Sequence, residues 1–158
     1  MNSEFGMLPA FGIGVVAGLR SMTAPAVVAW AAHLGWINLA GSRLSWMGSM
    51  WAVGLFSLCA LVEYVADQLP LTPSRTDLAP LLARIVFGLL TGMCLGVAAH
   101  SSAGVFALVG GLGAVVGAFG GHEVRVRLVR TLRVPDAVIA IPEDLIAIGL
   151  GLLVVSRF

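Results

Sequence analysis

The chain has 158 residues, of which 59% are hydrophobic and 11% are charged, and its mean hydropathy is +1.00. A soluble domain carries about 25% charged residues, whereas this sequence combines twenty glycines with one tyrosine and no lysine, at a net charge of +1. The composition therefore excludes a cytosolic enzyme or a nucleic-acid-binding module and predicts an all-α integral membrane protein.

The N-terminal residues 1–6, Met-Asn-Ser-Glu-Phe-Gly, precede a second methionine, Met7, and resemble a cloning remnant. Residues 7–158 are expected to form a single transmembrane helical domain. No cleavable signal peptide is evident, because the first apolar segment continues through Arg20 into further membrane-like sequence.

The first apolar segment, residues 7–36, is interrupted by the run Gly18-Leu19-Arg20-Ser21-Met22-Thr23-Ala24-Pro25. Pro25 disfavours helix at the preceding residue, and the hydroxyls of Ser21 and Thr23 can cap a new helix. We therefore predict two half-helices, over about 8–19 and 24–38. They either cross the membrane as one broken span or fold back as a re-entrant hairpin.

Four further apolar stretches are long enough to cross about 30 Å of hydrocarbon, which gives about five transmembrane helices in all. They are 50–69, 79–99, 102–121 and 137–156. The stretch 102–121 continues as an amphipathic helix over His122 to Val134, with Val124, Leu128 and Leu132 on one stripe. Pro142-Glu143-Asp144 is typical of a helix start, and it predicts a break or kink in the last span.

Arginine placement predicts the topology, because cytoplasmic loops are enriched in positive charge. Six arginines lie in or beside segments 70–78 and 122–136, whereas Arg43 and Arg157 lie on the other side. These two segments are expected in the cytoplasm and the C-terminus outside, in a multi-pass protein of the inner (plasma) membrane.

Short matches suggest an internal repeat. Residues 14–18 resemble 114–118, and 66–69 resemble 143–146, which places two helix pairs around the central 79–99 span and makes the second copy inverted. Inverted repeats with broken helices are common in secondary transporters. GxxxG spacings indicate close helix packing, either within one chain or in a dimer seam, and a homodimer is the expected working unit.

Ionisable groups inside a membrane are costly and mark functional sites by default. Helical rise brings such groups from four segments to a common depth. The candidate substrate- or ion-binding residues are Arg20, Ser21, Thr23, Glu63, Asp67, Arg75, Arg84, Glu143 and Asp144. An excess of acids over Arg20 and Arg84 favours coupling to a proton or a cation.

The same charges can instead be structural ion pairs, Glu63 with Arg84 and Arg20 with Glu143 or Asp144, in which case exchanging the charges of Glu63 and Arg84 should partly restore stability. Arg75 and Arg20, each beside hydroxyls at a helix start, could bind an anion, although such segments are also ordinary caps. The histidines and cysteines show no metal-ligand spacing. Neither a metal nor a cofactor is expected.

Three motifs of the sequence, residues 18–25, 73–76 and Glu143-Asp144, resemble those of a family of small bacterial membrane proteins designated DUF4126, a domain of unknown function. The resemblance covers almost the whole chain and implies a membrane location, without an activity. A weaker resemblance is to undecaprenyl-pyrophosphate phosphatases, which have re-entrant helices. Glu63-x-x-x-Asp67 echoes their Glu-rich motif, and residues 73–76 echo their Pro-Gly-x-Ser-Arg-Ser loop without the glycine.

The leading functional hypothesis is a small inverted-repeat transporter or channel for an ion or an anionic substrate, with its polar site open to the cytoplasm. One alternative is a membrane enzyme or binder acting on polyprenyl (lipid) phosphates, with Arg75, Arg20 and Ser74 on the anion and Glu63 as acid or base. Another alternative is a non-catalytic assembly protein. An enzyme is less expected than a transporter or channel. The expected partners are membrane lipid and a small ion or anionic substrate.

Overall fold

The structure is a computed structural model that describes residues 3–67 and 76–158. These residues form six α-helices and a short 3₁₀ helix, Ser45–Gly48, and contain no strand. The helices are α1 (Ser3–Leu19), α2 (Thr23–His33), α3 (Met50–Ala66), α4 (Leu78–Ala98), α5 (Ala103–Leu132) and α6 (Asp136–Val155). The all-helical prediction is therefore confirmed for the described residues.

Three helices are long and apolar enough to cross a membrane: Leu78–Ala98, Ala103–Leu132 and Val138–Val155. The apolar part of α1, Gly6–Leu19, and the apolar helix α3, Met50–Ala66, are shorter, and α2 has only 11 residues. α5 has 30 residues and is about 45 Å long, which exceeds the hydrocarbon thickness of about 30 Å. The predicted helical extension of the span 102–121 is thus present as far as Leu132.

The central part of the bundle consists of α1, α4 and α5. α1 runs parallel to α5, because Gly6 lies against Phe106 and Gly18 lies against Gly117. α4 runs antiparallel to α5, since Gly96 near its C-terminal end also lies against Phe106. These three helices pack more closely with one another than with any other helix.

Glycines make this close packing possible. A Cβ atom at Gly14 would overlap the carbonyl oxygen of Gly110, and one at Gly92 would overlap the carbonyl oxygen of Phe106. In a membrane, where lipid supplies no hydrophobic drive between helices, small residues let the backbones approach and gain dispersion contacts. The GxxxG positions at Gly14, Gly92 and their neighbours are therefore used within one chain.

The chain reverses direction between α1 and α2. Arg20, at the turn, contacts the first half of α6, whereas Gly12 lies beside Val154 in the last turn of α6. α1 is therefore antiparallel to α6. Val27 contacts Gly151, so α2 runs parallel to α6, and the two half-helices form a helical hairpin. We call the turn at residues 20–22 the hairpin tip.

The ends of several helices meet at the level of the hairpin tip. α2 is antiparallel to α3, because Thr23 contacts Tyr64 and Trp30 contacts Ser57. The C-terminal end of α3 therefore lies beside the hairpin tip, as do the first half of α6 and the N-terminal part of α4, which carries Arg84. We call this the polar end of the bundle. α6 ends at the opposite end.

One predicted helix boundary is wrong, and one predicted helix break is absent. α2 ends at His33 rather than near residue 38, because Gly35 adopts a left-handed φ of 77° and the N–H of Trp36 bonds the carbonyl of Ala31 at 2.8 Å. This is the glycine-dependent C-terminal capping motif. α6 runs from Asp136 to Val155, within one residue of the predicted span at each end, and continues through Pro142, so that of the predicted break or kink the break is absent.

Candidate functional site

Arg20 is the centre of a polar cluster at the hairpin tip. Its side chain is completely buried, with 0% of its surface accessible. Nη1 donates to Oδ2 of Asp67, the C-cap residue directly after α3, and Nε forms an ion pair with Oδ1 of Asp144 in α6. One guanidinium is thus shared by carboxylates from two different helices.

The carboxylate of Glu63 binds the backbone at the start of α2. Oε1 accepts the N–H of Ser21 at 2.8 Å and its hydroxyl at 2.7 Å, and Oε2 accepts the N–H of Met22 at 2.9 Å. A negative charge is favourable here, because the first N–H groups of a helix have no partner within it. The predicted capping of α2 by the Ser21 and Thr23 hydroxyls is wrong: α2 has no side-chain cap of its own, and Glu63 takes that role.

Arg84 occupies the complementary position at the end of α1. Its Nε donates to the carbonyl oxygen of Gly18 at 3.1 Å, and its Nη1 donates to that of Pro80 at 3.2 Å. Its Nη2 lies 3.8 Å from Oε1 of Glu63, so the predicted pair is present. Arg84 thus donates to a carbonyl in the last turn of α1, and Glu63 accepts from the N–H groups before α2. The two charges together stabilise the break between the helices.

Thr23 and Tyr64 add a neutral contact to the cluster. The Thr23 hydroxyl and the Tyr64 hydroxyl are 2.7 Å apart, and Thr23 is 1% exposed. The Tyr64 ring also lies against Arg20, whose Cζ is 5.8 Å from the ring centroid. Tyr64 is not among the residues predicted from the sequence. It is the chain's single tyrosine and directly follows Glu63, and this position could have indicated that it belongs to the cluster.

Glu143 belongs to a neighbouring pair rather than to the Arg20 cluster. Its Oε2 is 3.3 Å from Nη1 of Arg125 in α5. Arg125 is not among the candidate residues that the sequence indicates, so the sequence pattern misses this partner of Glu143. Arg125 lies two residues after Glu123, where the charged part of α5 begins. In the bundle it is level with Glu143 of α6.

The structure thus brings together most of the predicted site residues. The hairpin-tip cluster contains Arg20, Ser21, Thr23, Glu63, Asp67, Arg84 and Asp144. Glu143 lies next to it with Arg125. Arg75 and Ser74 fall outside the described residues. In the described part of the chain, no group of three or more His, Cys, Asp or Glu side chains is arranged to hold a metal ion.

Two features of the cluster bear on its chemistry. Three carboxylates, Glu63, Asp67 and Asp144, face the guanidinium groups of Arg20 and Arg84, so full ionisation leaves an excess negative charge. In addition, the buried Nη2 of Arg20 has no hydrogen-bond acceptor among the residues that the structure describes. Buried donors are normally paired, because an unpaired one costs about 1–3 kcal/mol.

These observations define a helical membrane protein with a buried Arg–carboxylate cluster at a helix break. The chain belongs to the family described as "Domain of unknown function (DUF4126)", whose model matches residues 7–156. No curated protein and no solved structure matched the chain in the corresponding comparisons.

Proposed function

We propose that the protein is a small membrane transporter or channel in which the hairpin-tip cluster couples movement to a proton or a cation. The observation that carries the proposal is the sharing of Arg20 between Asp67 and Asp144. Because one guanidinium cannot fully neutralise two carboxylates, a proton or cation that binds one of them releases the helix carrying it. The Nη2 donor of Arg20 is then a contact for an anionic or carbonyl group of the substrate.

The architecture supports this proposal in a second way. Broken helices whose ends meet at a polar site are typical of secondary transporters, as are inverted repeats. The segments matched by the repeat hypothesis lie together in space: residues 14–18 pack on 110–118, and the matched acids Asp67 and Asp144 both bind Arg20. The contact of the two acids with one arginine is what supports the proposal, since α1 runs parallel to α5, whereas an inverted repeat requires its matched helices to run in opposite directions.

In the proposed mechanism, the two sides of the bundle have different roles. The glycine-packed helices α1, α4 and α5 form a fixed part, because their backbones are in contact. α3 and α6 are held to the hairpin tip through Asp67, Glu63 and Asp144. Changing the charge of these carboxylates therefore changes how α3 and α6 are attached, without disturbing the fixed part.

The proposal includes a membrane orientation and an assembly state. The polar end faces the cytoplasm and the C-terminus lies outside, in the inner membrane, in keeping with the arginine distribution. The working unit is a homodimer. Since the GxxxG glycines contact helices of the same chain, the dimer forms through other surfaces.

Flux into proteoliposomes tests the proposal. Proteoliposomes that contain the protein are loaded with a pH-sensitive dye and are then exposed to proton, sodium or potassium gradients. The wild type should dissipate at least one gradient faster than empty liposomes. Asp67→Asn and Asp144→Asn should each slow that flux by about tenfold or more, because each removes a carboxylate that binds Arg20.

Glu123→Gln is the matched control. This variant makes the same kind of change in an exposed pair, where Glu123 lies 2.7 Å from Nε of Arg127, and its flux should equal that of the wild type. The proposal fails if the wild type moves no ion faster than empty liposomes do, or if both asparagine variants keep the wild-type rate.

The geometry gives less support to the alternative of an enzyme or binder for polyprenyl phosphates. Both oxygens of Glu63 are bound to the backbone before α2, so this residue is not placed as an open acid or base. Phosphate release from a polyprenyl phosphate is the assay that separates this alternative from transport. A non-catalytic assembly protein would instead show neither flux nor phosphate release.

A further inference from the structure

Three of the four tryptophans expose their indole rings at the end of the bundle opposite the polar end. Trp36 and Trp46 lie between α2 and α3 and are each 47% exposed, and Trp51, in the first turn of α3, is 87% exposed. Among the residues that the structure describes, none accepts a hydrogen bond from these three indole N–H groups, whereas Trp30 donates to Oγ of Ser57 at 3.0 Å. We call Trp36, Trp46 and Trp51 the exposed tryptophans.

An exposed indole has two requirements that neither water nor hydrocarbon meets alone. Its ring is apolar, whereas its N–H group needs an acceptor. The head-group layer of a membrane meets both, because lipid carbonyl and phosphate oxygens there lie beside the acyl chains. Between Trp36 and Trp51, Arg43 is the one charged residue. The chemistry of the exposed tryptophans therefore fits the membrane interface as a partner.

The other boundary of the membrane is expected beyond the hairpin tip. Helical rise gives about 21 Å from Arg84 to Ala98, at the tryptophan-bearing end, but only about 9 Å from Leu78 to Arg84. Arg84 contacts the last turn of α1, so the hairpin tip lies at its level. Past that level, the apolar side chains of Leu78 and Leu82 in α4 and of Ile141 in α6 are exposed. A hydrocarbon layer of about 30 Å would cover them and extend about 9 Å past the tip.

We propose that α1 and α2 form a re-entrant hairpin, which enters and leaves the membrane at the interface where the exposed tryptophans bind the lipid head-group layer. The hairpin tip then ends within the hydrocarbon layer, about 9 Å from the membrane face at the polar end. Neither helix is long enough to cross, because the apolar part of α1, Gly6–Leu19, is about 21 Å long and α2 is about 17 Å long. The proposal does not depend on transport by the hairpin-tip cluster.

Thiol labelling tests the course of the hairpin through the membrane. Met7 at the start of α1, Ala40 after α2 and Thr131 near the end of α5 are all exposed. Each is replaced by cysteine in a Cys59→Ala/Cys94→Ala background and treated with a membrane-impermeant maleimide in right-side-out and inside-out membrane vesicles. Met7→Cys and Ala40→Cys should be labelled in the same vesicle orientation, and Thr131→Cys in the opposite one.

Ser101→Cys, in the turn between α4 and α5, is the control for the tryptophan-bearing face. It should be labelled in the same orientation as Ala40→Cys. Labelling of Met7→Cys in the orientation that labels Thr131→Cys would mean that the hairpin crosses the membrane, and it would overturn the proposal. Labelling of Met7→Cys in neither orientation would overturn it as well.

Fluorescence quenching tests the lipid partner. In a Trp30→Phe variant in proteoliposomes, all emission comes from the exposed tryptophans. A spin label on the lipid head group should quench this emission more than a spin label near the end of the acyl chain, and aqueous iodide should quench it less than it quenches free tryptophan amide. Stronger quenching from the chain end, or iodide quenching equal to that of the free amide, overturns the assignment of the head-group layer as the partner.

Discussion

The two sides of the bundle are held together by different forces. Where α1, α4 and α5 meet, glycines bring backbone against backbone, and a side chain cannot be added at Gly14 or Gly92 without overlap. At the hairpin tip, α3 and α6 are attached through charged side chains, with Asp67 and Asp144 on Arg20. The first contact is fixed by shape, whereas the second consists of ion pairs, which depend on the charge of each partner.

Under the proposed function, this difference lets a small chain combine rigidity with a site that responds to ions. Shape complementarity in a packed core leaves few alternative arrangements. A buried ion pair is different, because it contributes little net stability but is sensitive to the loss of either charge. The comparison predicts that substitutions in the glycine contacts destroy the fold, while substitutions of the carboxylates change function first.

The largest expected effect is that of Gly92→Leu. A side chain at this position overlaps the carbonyl of Phe106 and lies 3.1 Å from Cα of Gly110, so α4 and α5 must move apart. We expect destabilisation by more than about 4 kcal/mol. In size-exclusion chromatography in detergent, the variant should lose the monodisperse peak. Gly54→Leu, where a Cβ atom meets nothing within 4 Å, should retain it.

Arg84→Ala should have the next largest effect. It removes the donors to Gly18 and Pro80 and leaves Glu63 without its cation. Loss of one partner of a buried pair typically costs about 3–5 kcal/mol. Thermal unfolding in detergent measures the change. An unaltered melting temperature would show that the hairpin tip does not depend on Arg84.

The structure also changes the expectation for the charge exchange. From sequence, Arg84→Glu combined with Glu63→Arg should partly restore stability. Because Glu63 accepts backbone N–H groups at Ser21 and Met22, an arginine in its place would direct donors at donors. We now expect the double variant to be no more stable than Arg84→Ala.

The sequence was sufficient to predict the helix break and the common depth of the charges. Both depend on local chemistry: the run around Arg20 disfavours a continuous helix, and helical rise places Glu63, Arg84 and Asp144 at one level. The reversal of direction between α1 and α2 was left open, because it depends on which helices the two halves contact. That information lies in tertiary contacts such as Gly12 with Val154.

The errors also have physical causes. α2 ends earlier than the apolar pattern predicts, because Gly35 forms a C-terminal cap after His33. Pro142 is typical of a helix start, but α6 begins at Asp136 and continues through it. The role of Glu63 as a cap for α2 could not be predicted, since the two are 41 residues apart or more in the chain and no local pattern connects them.

A smaller effect is expected at Tyr64 and Thr23. Tyr64→Phe leaves the buried Thr23 hydroxyl without its partner, which typically costs about 1–3 kcal/mol. Adding Thr23→Val removes the unpaired group as well, so the double variant should be no less stable than Tyr64→Phe alone. Additive losses in thermal unfolding would mean that the two hydroxyls do not act as a pair.

The most direct test of the account is a distance measurement by electron paramagnetic resonance with pairs of spin labels, in a Cys59→Ala/Cys94→Ala background. One pair joins Val86→Cys in α4 to Leu112→Cys in α5, and the other joins Leu58→Cys in α3 to Leu112→Cys; all three native side chains are exposed. Neutralising the cluster with Asp67→Asn and Asp144→Asn should shift or broaden the α3–α5 distance and leave the α4–α5 distance unchanged. Unchanged distances in both pairs, or equal shifts in both, would contradict the division into a glycine-packed fixed part and a charge-attached part.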